Sequence, residues 1–207
     1  MTANAPTKNK PTSKERLIET ALDLIPTNSY GAVSVDEMCK AADVRKGSFY
    51  HHFKSKSDLA IAAMDALNHS MKPMFDDAFS PSRPPRERFI ALAKNGYEKQ
   101  RESFEKYGQV IGCPVLALGS EMAGQDDGVR AKAEEVSAQC LCYYESALRD
   151  LVVAGDLPKD TDISVMALDL QAYVMGHVMM ARVKNNIDTL NDNLLRGMFR
   201  IMGISEE

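Results

Sequence analysis

The chain has no tryptophan, and nowhere in its 207 residues does an apolar run reach eighteen. A helix needs about twenty such residues to cross a bilayer, so no spanning segment and no membrane partner are expected. The first ten residues are polar and lack the apolar stretch of a secretory signal. Cysteine is scarce, at Cys39, Cys113, Cys140 and Cys142, with no paired ligand spacing. Cys140 and Cys142 would point about 200° apart on a helix, so they do not make a zinc hook. Reduced thiols and a cytoplasmic location are expected. No glycine-rich phosphate loop, H-E-x-x-H or nucleophile elbow occurs, so no enzyme signature, cofactor site or metal site stands out. No alternating strand pattern and no internal repeat is visible, and glycine and proline are not enriched.

What remains is a soluble, globular composition: 44% hydrophobic and 26% charged residues, enough chain for one large or two small domains. Twelve methionines favour an adaptable interior, because Met fills irregular gaps. The net charge of -4 conceals an asymmetry. Residues 1–56 carry nine Lys and Arg against six Asp and Glu, and residues 57–207 sixteen against twenty-three. A basic front and an acidic remainder suit a protein that presents one end to nucleic acid.

The most informative stretch is Ser34 to Lys56. Val35, Met38, Cys39 and Ala42 recur at i, i+3, i+4 and i+7, one face of a helix. Ser34 with Glu37 forms a capping box at its start. Asp43 tolerates the left-handed conformation that a tight turn requires. A second short helix then sets Phe49 and Phe53 on one face, with Arg45, Lys46, Ser48, Tyr50, His51 and His52 on the rest. Two short helices, the second carrying donors outward, suit a major groove, whose base edges offer acceptors. Tyr50, Lys54 and Lys56 suit phosphates, which position the helix without reading sequence. His51 and His52, adjacent on a helix, point about 100° apart and do not readily share a metal ion.

The pattern V-x-x-G-S-F-Y-H-H-F-K-x-K-x-x-L, from Val44 to Leu59, resembles the DNA-binding domain of the TetR family of bacterial regulators. The likeness is strong over the first sixty or so residues and rests on helical layout beyond. Asp43 stands where the family often has Gly. The resemblance implies an all-α fold of about nine helices: a three-helix helix-turn-helix domain over 12–57, its motif about 34–53, and a C-terminal effector-binding and dimerisation domain over 58–207. It implies a repressor that binds a palindromic double-stranded DNA operator through Ser34, Arg45, Lys46, Gly47, Ser48, Tyr50, His51, His52, Lys54 and Lys56, released when a small molecule or electrophile acts on the C-terminal helices.

Residues 1–11 read as a disordered basic arm with Lys8 and Lys10. A first helix starts near Thr12 or Ser13 and is expected to end at Pro26. A fourth, from about Ser55, joins the reader to everything downstream. After the break Ser80–Pro85, helices are expected from Pro85 to Lys106, after Pro114, and from Asp126 to Gly155. The last two run from about Thr161 to Asn185 and from Ile187 to Met202. The first of these is apolar nearly all round, so it needs cover on all sides. A second copy, packing its last two helices against these in a homodimer, is the economical cover.

Candidate effector walls are Tyr97, Phe104, Cys113, Met122, Tyr143, Tyr144, Tyr173 and His177, though any one of them taken singly reads better as core packing. Cys113 precedes a helix start, where a thiol pKa is lowered and thiolate is the nucleophile. The segment around it is similar to that of family members sensing electrophiles or small unsaturated acids. Two alternatives stay open: a cysteine-dependent enzyme, for example through Cys113 and His177, and a helical ligand carrier with a vestigial DNA reader.

Overall fold

Nine α-helices and one short 3-10 helix, with no strand, make up the described residues, 10–191 and 193–205, of this computed structural model. The helices are α1 (Ser13–Asn28), α2 (Val35–Ala41), α3 (Lys46–His52), α4 (Lys56–Ala78), α5 (Pro85–Tyr107), α6 (Pro114–Met122), α7 (Asp127–Ala154), α8 (Ile163–Lys184) and α9 (Asn193–Met202). The all-α expectation holds. The basic arm, up to residue 9, lies outside the described residues.

Local chemistry explains most boundaries. Thr12 with Glu15 and Ser34 with Glu37 form reciprocal capping boxes. Ser55, Asp126 and Asp162 each accept from the backbone N–H three residues on, opening α4, α7 and α8. Gly108 and Gly155, with φ of 69° and 83°, close α5 and α7 in the left-handed region that glycine enters without penalty.

Two expected boundaries move. α1 does not stop at Pro26 but continues to Asn28. Proline there removes one donor, yet Ser29 N–H still reaches the Ile25 carbonyl at 3.0 Å, so the final turn closes. α4 likewise holds Pro73 in its last turns and ends at Ala78. The last expected helix divides into a 3-10 turn, Ile187–Leu190, and α9.

Two apolar clusters form. One gathers Leu17, Met38, Phe49 and Leu59 with Val115, Leu118 and Val129, so α6 and the start of α7 pack onto the first four helices. The other joins α5, α7, α8 and α9 around Phe89, Tyr144, Leu148, Leu170 and Met198. Cys113 packs against both. α8 buries Leu170, Val174 and Val178 in the second cluster but leaves Val165 and Leu168 each 53% and Val183 75% exposed. One chain therefore covers only one flank of this helix.

Candidate nucleic-acid interface and effector region

The short helix α3 is held from behind. Phe49 is fully buried and Phe53 nearly so, their ring centroids 5.9 Å apart, so two anchors one turn apart fix its roll. Asp43 adopts φ 51°, and Val44 N–H bonds the Cys39 carbonyl at 2.9 Å to complete the turn. Arg16 on α1 donates to the Asp43 carbonyl at 3.1 Å, tying the turn to the first helix.

This roll turns Arg45, Lys46, Gly47, Tyr50, His51 and Lys54 to solvent, and Ser34 at the start of α2 is exposed beside them. Lys46 pairs with Asp36 at 2.7 Å, a hydrogen bond that raises the ammonium pKa above its ordinary value. Two residues are half-buried instead: His52 Nε2 lies 2.7 Å from Ser13 Oγ, and Ser48 Oγ donates to the same hydroxyl at 3.4 Å. Ser13 is thus a member of this surface that spacing did not reveal, since it stands 39 residues from His52.

Lys56 departs from the expectation of a phosphate contact. Its ammonium donates to the Tyr30 carbonyl and sits 3.9 Å from the Tyr30 ring centroid. Burial pulls its pKa down, against the pull of Glu121 and Glu37. It braces the turn before α2 rather than facing outward.

The eight candidate effector residues do not converge on one point. Met122 is buried in the first cluster, with residues of the first four helices. Tyr144 is wholly buried against Phe79 and Phe89, and burial pushes its hydroxyl pKa far up. Tyr143 is half-buried and donates to Asp76 Oδ1 at 2.6 Å. Tyr97 and Phe104 on α5 pack partly buried on the second cluster. Tyr173 donates to the Asn193 carbonyl at 2.9 Å, and its ring lies 4.4 Å from that of His177, between α8 and α9. A surface cleft of about 470 Å3, lined by Pro81–Pro85, Arg88, Asp150, Val153 and Ala154, touches none of the eight.

Cys113 does cap α6: its Sγ accepts from Leu116 N–H at 3.5 Å. The lowered thiol pKa expected there does not follow. Burial raises it, and the amides of Leu116 and Val115 offset only part of that effect. Cys140 is pushed up to about 11 by burial, with smaller contributions from Cys113 and Cys142. Removal from water outweighs the helix terminus.

Residues 17–63 match the family model of bacterial regulatory proteins, tetR family, and residues 91–194 that of the tetracyclin repressor-like C-terminal domain. The transcriptional regulator AcuR of Cereibacter sphaeroides is 29% identical over 178 residues, 86% of this chain and 80% of that protein. The repressor NemR of Escherichia coli is 21% identical over 189 residues, 88% of this chain and 90% of its own length. Among solved structures, a regulatory protein TetR from Rhodobacter sphaeroides superposes with a TM-score of 0.80 at 28% identity, covering 91% of this chain and 98% of that one. Reduced Escherichia coli NemR shares the fold, with a TM-score of 0.78 at 21% identity over 94% of this chain and 99% of its own. These relatives regulate transcription, and none supports the enzyme alternative. An exposed cationic recognition helix, the helical body behind it and the two matched models lead to one conclusion: the chain belongs to the TetR family of bacterial regulatory proteins and is a transcriptional regulator of that type.

Proposed function

We propose that the chain is a homodimeric repressor whose reader, residues 12–57, docks α3 in the major groove of a palindromic operator, and whose remainder, 58–207, dimerises and takes an effector. The observation that carries this reading is the exposed apolar flank of α8. Val165, Leu168, Ala172, Gly176, Met180 and Val183 recur every three or four residues and face solvent. Such a stripe needs a partner, and a second copy offers an identical one, so a two-fold pairing covers both at once. Two-fold pairing sets two readers side by side, as half-sites about 34 Å apart require.

At the operator, Arg45, Lys46, Gly47, Ser48, Tyr50 and His51 face the bases and flanking phosphates. Ser34 and Lys54 reach the backbone, and His52 acts through Ser13. An effector that loosens this pose must favour the form that does not fit DNA, or it shifts nothing. Its contacts belong to the interior near Tyr97, Phe104, Cys113, Tyr143, Tyr173 and His177. Repression, rather than activation, follows the naming of the NemR relative. A chromosomal operator places the protein in the bacterial cytoplasm.

The test is titration of the full-length protein with the DNA upstream of its own gene, beside light scattering. The wild type is expected to be dimeric and to lose affinity steeply with salt, as phosphate contacts release counterions. Leu168→Glu with Val183→Glu should yield monomers that no longer bind tightly. Tyr50→Ala should stay dimeric and bind weakly. A monomeric wild type, or full affinity in Tyr50→Ala, overturns the proposal.

A further inference from the structure

The end of α1 caps itself only in part: Thr27 and Asn28 donate to the Asp23 and Leu24 carbonyls, and Ser29 N–H to that of Ile25. It carries no basic side chain, and its final carbonyls lack helical partners, as at any helix end. The rest of the chain supplies the missing groups. Arg182 of α8 donates to the Pro26 carbonyl at 3.0 Å, and Gln109, just past α5, to the Thr27 carbonyl at 3.2 Å. Lys106 and Tyr107 both hold Asp23.

The tightest grip is on the turn that follows. There the Glu121 carboxylate, on the last turn of α6, accepts three bonds: from Ser29 Oγ at 3.0 Å, Tyr30 N–H at 3.1 Å and Gly31 N–H at 2.9 Å. Ser29 sits at φ 111°, a region a non-glycine residue enters only when its surroundings hold it there. A charged acceptor facing three donors is that restraint. From the other side, Lys56, the first residue of α4, holds the Tyr30 carbonyl. The ends of α1 and α6 and the start of α4 thus meet at one turn. That turn leads within four residues to Ser34, the cap of α2.

We infer that Glu121 is a positioning residue for DNA binding: its clasp on Ser29–Gly31 fixes the angle at which the C-terminal body presents the reader to the operator. Covalent continuity through α4 joins the two parts at a single strand of chain, and the apolar packing of α6 and α7 on the first four helices is non-directional. The directed bonds at the far end of α1 add a fixed orientation to that packing. A movement of α6 would then reach the reader directly through this carboxylate.

The inference rests on the two-half-site reading proposed above. The test uses the full-length protein and operator duplexes whose half-sites are moved by one or two base pairs either way. The wild type should discriminate among spacings by about tenfold or more, since a fixed pose fits one spacing. Glu121→Ala should compress that range to about threefold or less. Ser29→Ala, which removes one of the three bonds, should fall between. Glu121→Gln keeps the volume and the two bonds at Oε1 but turns a donor toward the Tyr30 N–H, and should also fall between. A variant that was only less stable would lose affinity for every duplex by one factor, leaving the ratios intact. Circular dichroism checks that each variant is folded. An unchanged spacing profile in both Glu121 variants overturns the inference. A flat profile in the wild type overturns the two-half-site reading, and this inference falls with it, so the two failures are told apart.

Discussion

A Cβ placed on Gly197 would lie 1.7 Å from Tyr173 Oη and 2.0 Å from Cζ, so α9 approaches α8 only because this position has no side chain. The tyrosine hydroxyl gains its bond to the Asn193 carbonyl in the space left. Gly197→Ala should force the ring out and lower stability by about 1–3 kcal/mol, as overpacking does. Urea unfolding measures the loss, and adding Tyr173→Ala should make the pair cost less than the sum of the two. The thiols make a second prediction at this scale. Cys142 is exposed, whereas burial raises the pKa of Cys113 and holds Cys140 near 11. Thiolate is the reactive form, so iodoacetamide at neutral pH should label Cys142 first and Cys113 slowly, by mass mapping. Rapid labelling of Cys113 would restore the thiol-sensor reading that its raised pKa opposes.

Helices here are assembled by small residues at close crossings. α6 lies on α7 where a Cβ on Gly119 would come within 2.5 Å of Ala133 Cβ, a distance no packed pair sustains. Gly119→Ala must therefore push α6 away from α7. Glu121 is two residues further along, so the displacement should loosen the clasp on Tyr30 and Gly31. Hydrogen exchange over residues 25–35 reports it: faster exchange is expected there, with little change in α3. Equal protection in variant and wild type would show that α6 moves without disturbing the turn. The same scale explains why α8 resists a single-chain account. Its buried flank carries Leu170, Val174 and Val178, and the opposite flank is apolar and left largely exposed by the described residues.

At the scale of the molecule, two carboxylates of the body, Glu121 and Asp126, hold the reader. Burial alone would raise the Glu121 pKa, but the Gly31 and Tyr30 amides and the Ser29 hydroxyl bring it below its ordinary 4.5. Asp126 is lowered first by the Ser57 hydroxyl at the start of α4, and then by the Val129 amide, from an ordinary 3.8. Groups with depressed folded pKa values stabilise the folded state above their unfolded values. They lose that contribution as pH falls through the folded ones. The attachment should therefore be complete at neutral pH and weaken below about pH 4.5. In urea titrations, the gap in midpoint between wild type and Glu121→Gln should narrow on acidification. A constant gap down to acid pH would mean that the charge on Glu121 is not what holds the turn.

How much of this could be read from the chain depends on the reach of each interaction. The caps at Thr12, Ser34, Ser55 and Asp126, the Phe49–Phe53 anchor and the left-handed Asp43 were legible, because each is settled within about one helical turn. The boundary at Pro26 was not, because a proline near a helix end removes one bond while neighbouring packing keeps the rest. Lys56 read as a phosphate ligand, while Met122 read as a pocket wall or core packing and Cys113 as an activated thiol or a small buried hydrophobe; only folding chose between them. Folding turned Lys56 inward, to the Tyr30 carbonyl, buried Met122 and packed Cys113 against both apolar clusters. Glu121 carried no local signal, standing 90 residues from the Gly31 amide it holds. Sequence by itself determined where helices begin, which face of α3 is cationic and which family the reader resembles, since those follow from periodicity and short-range hydrogen bonds. Tertiary structure alone decided which charges face inward and where the two parts are fastened, because desolvation and long-range pairing exist only once distant segments share one interior.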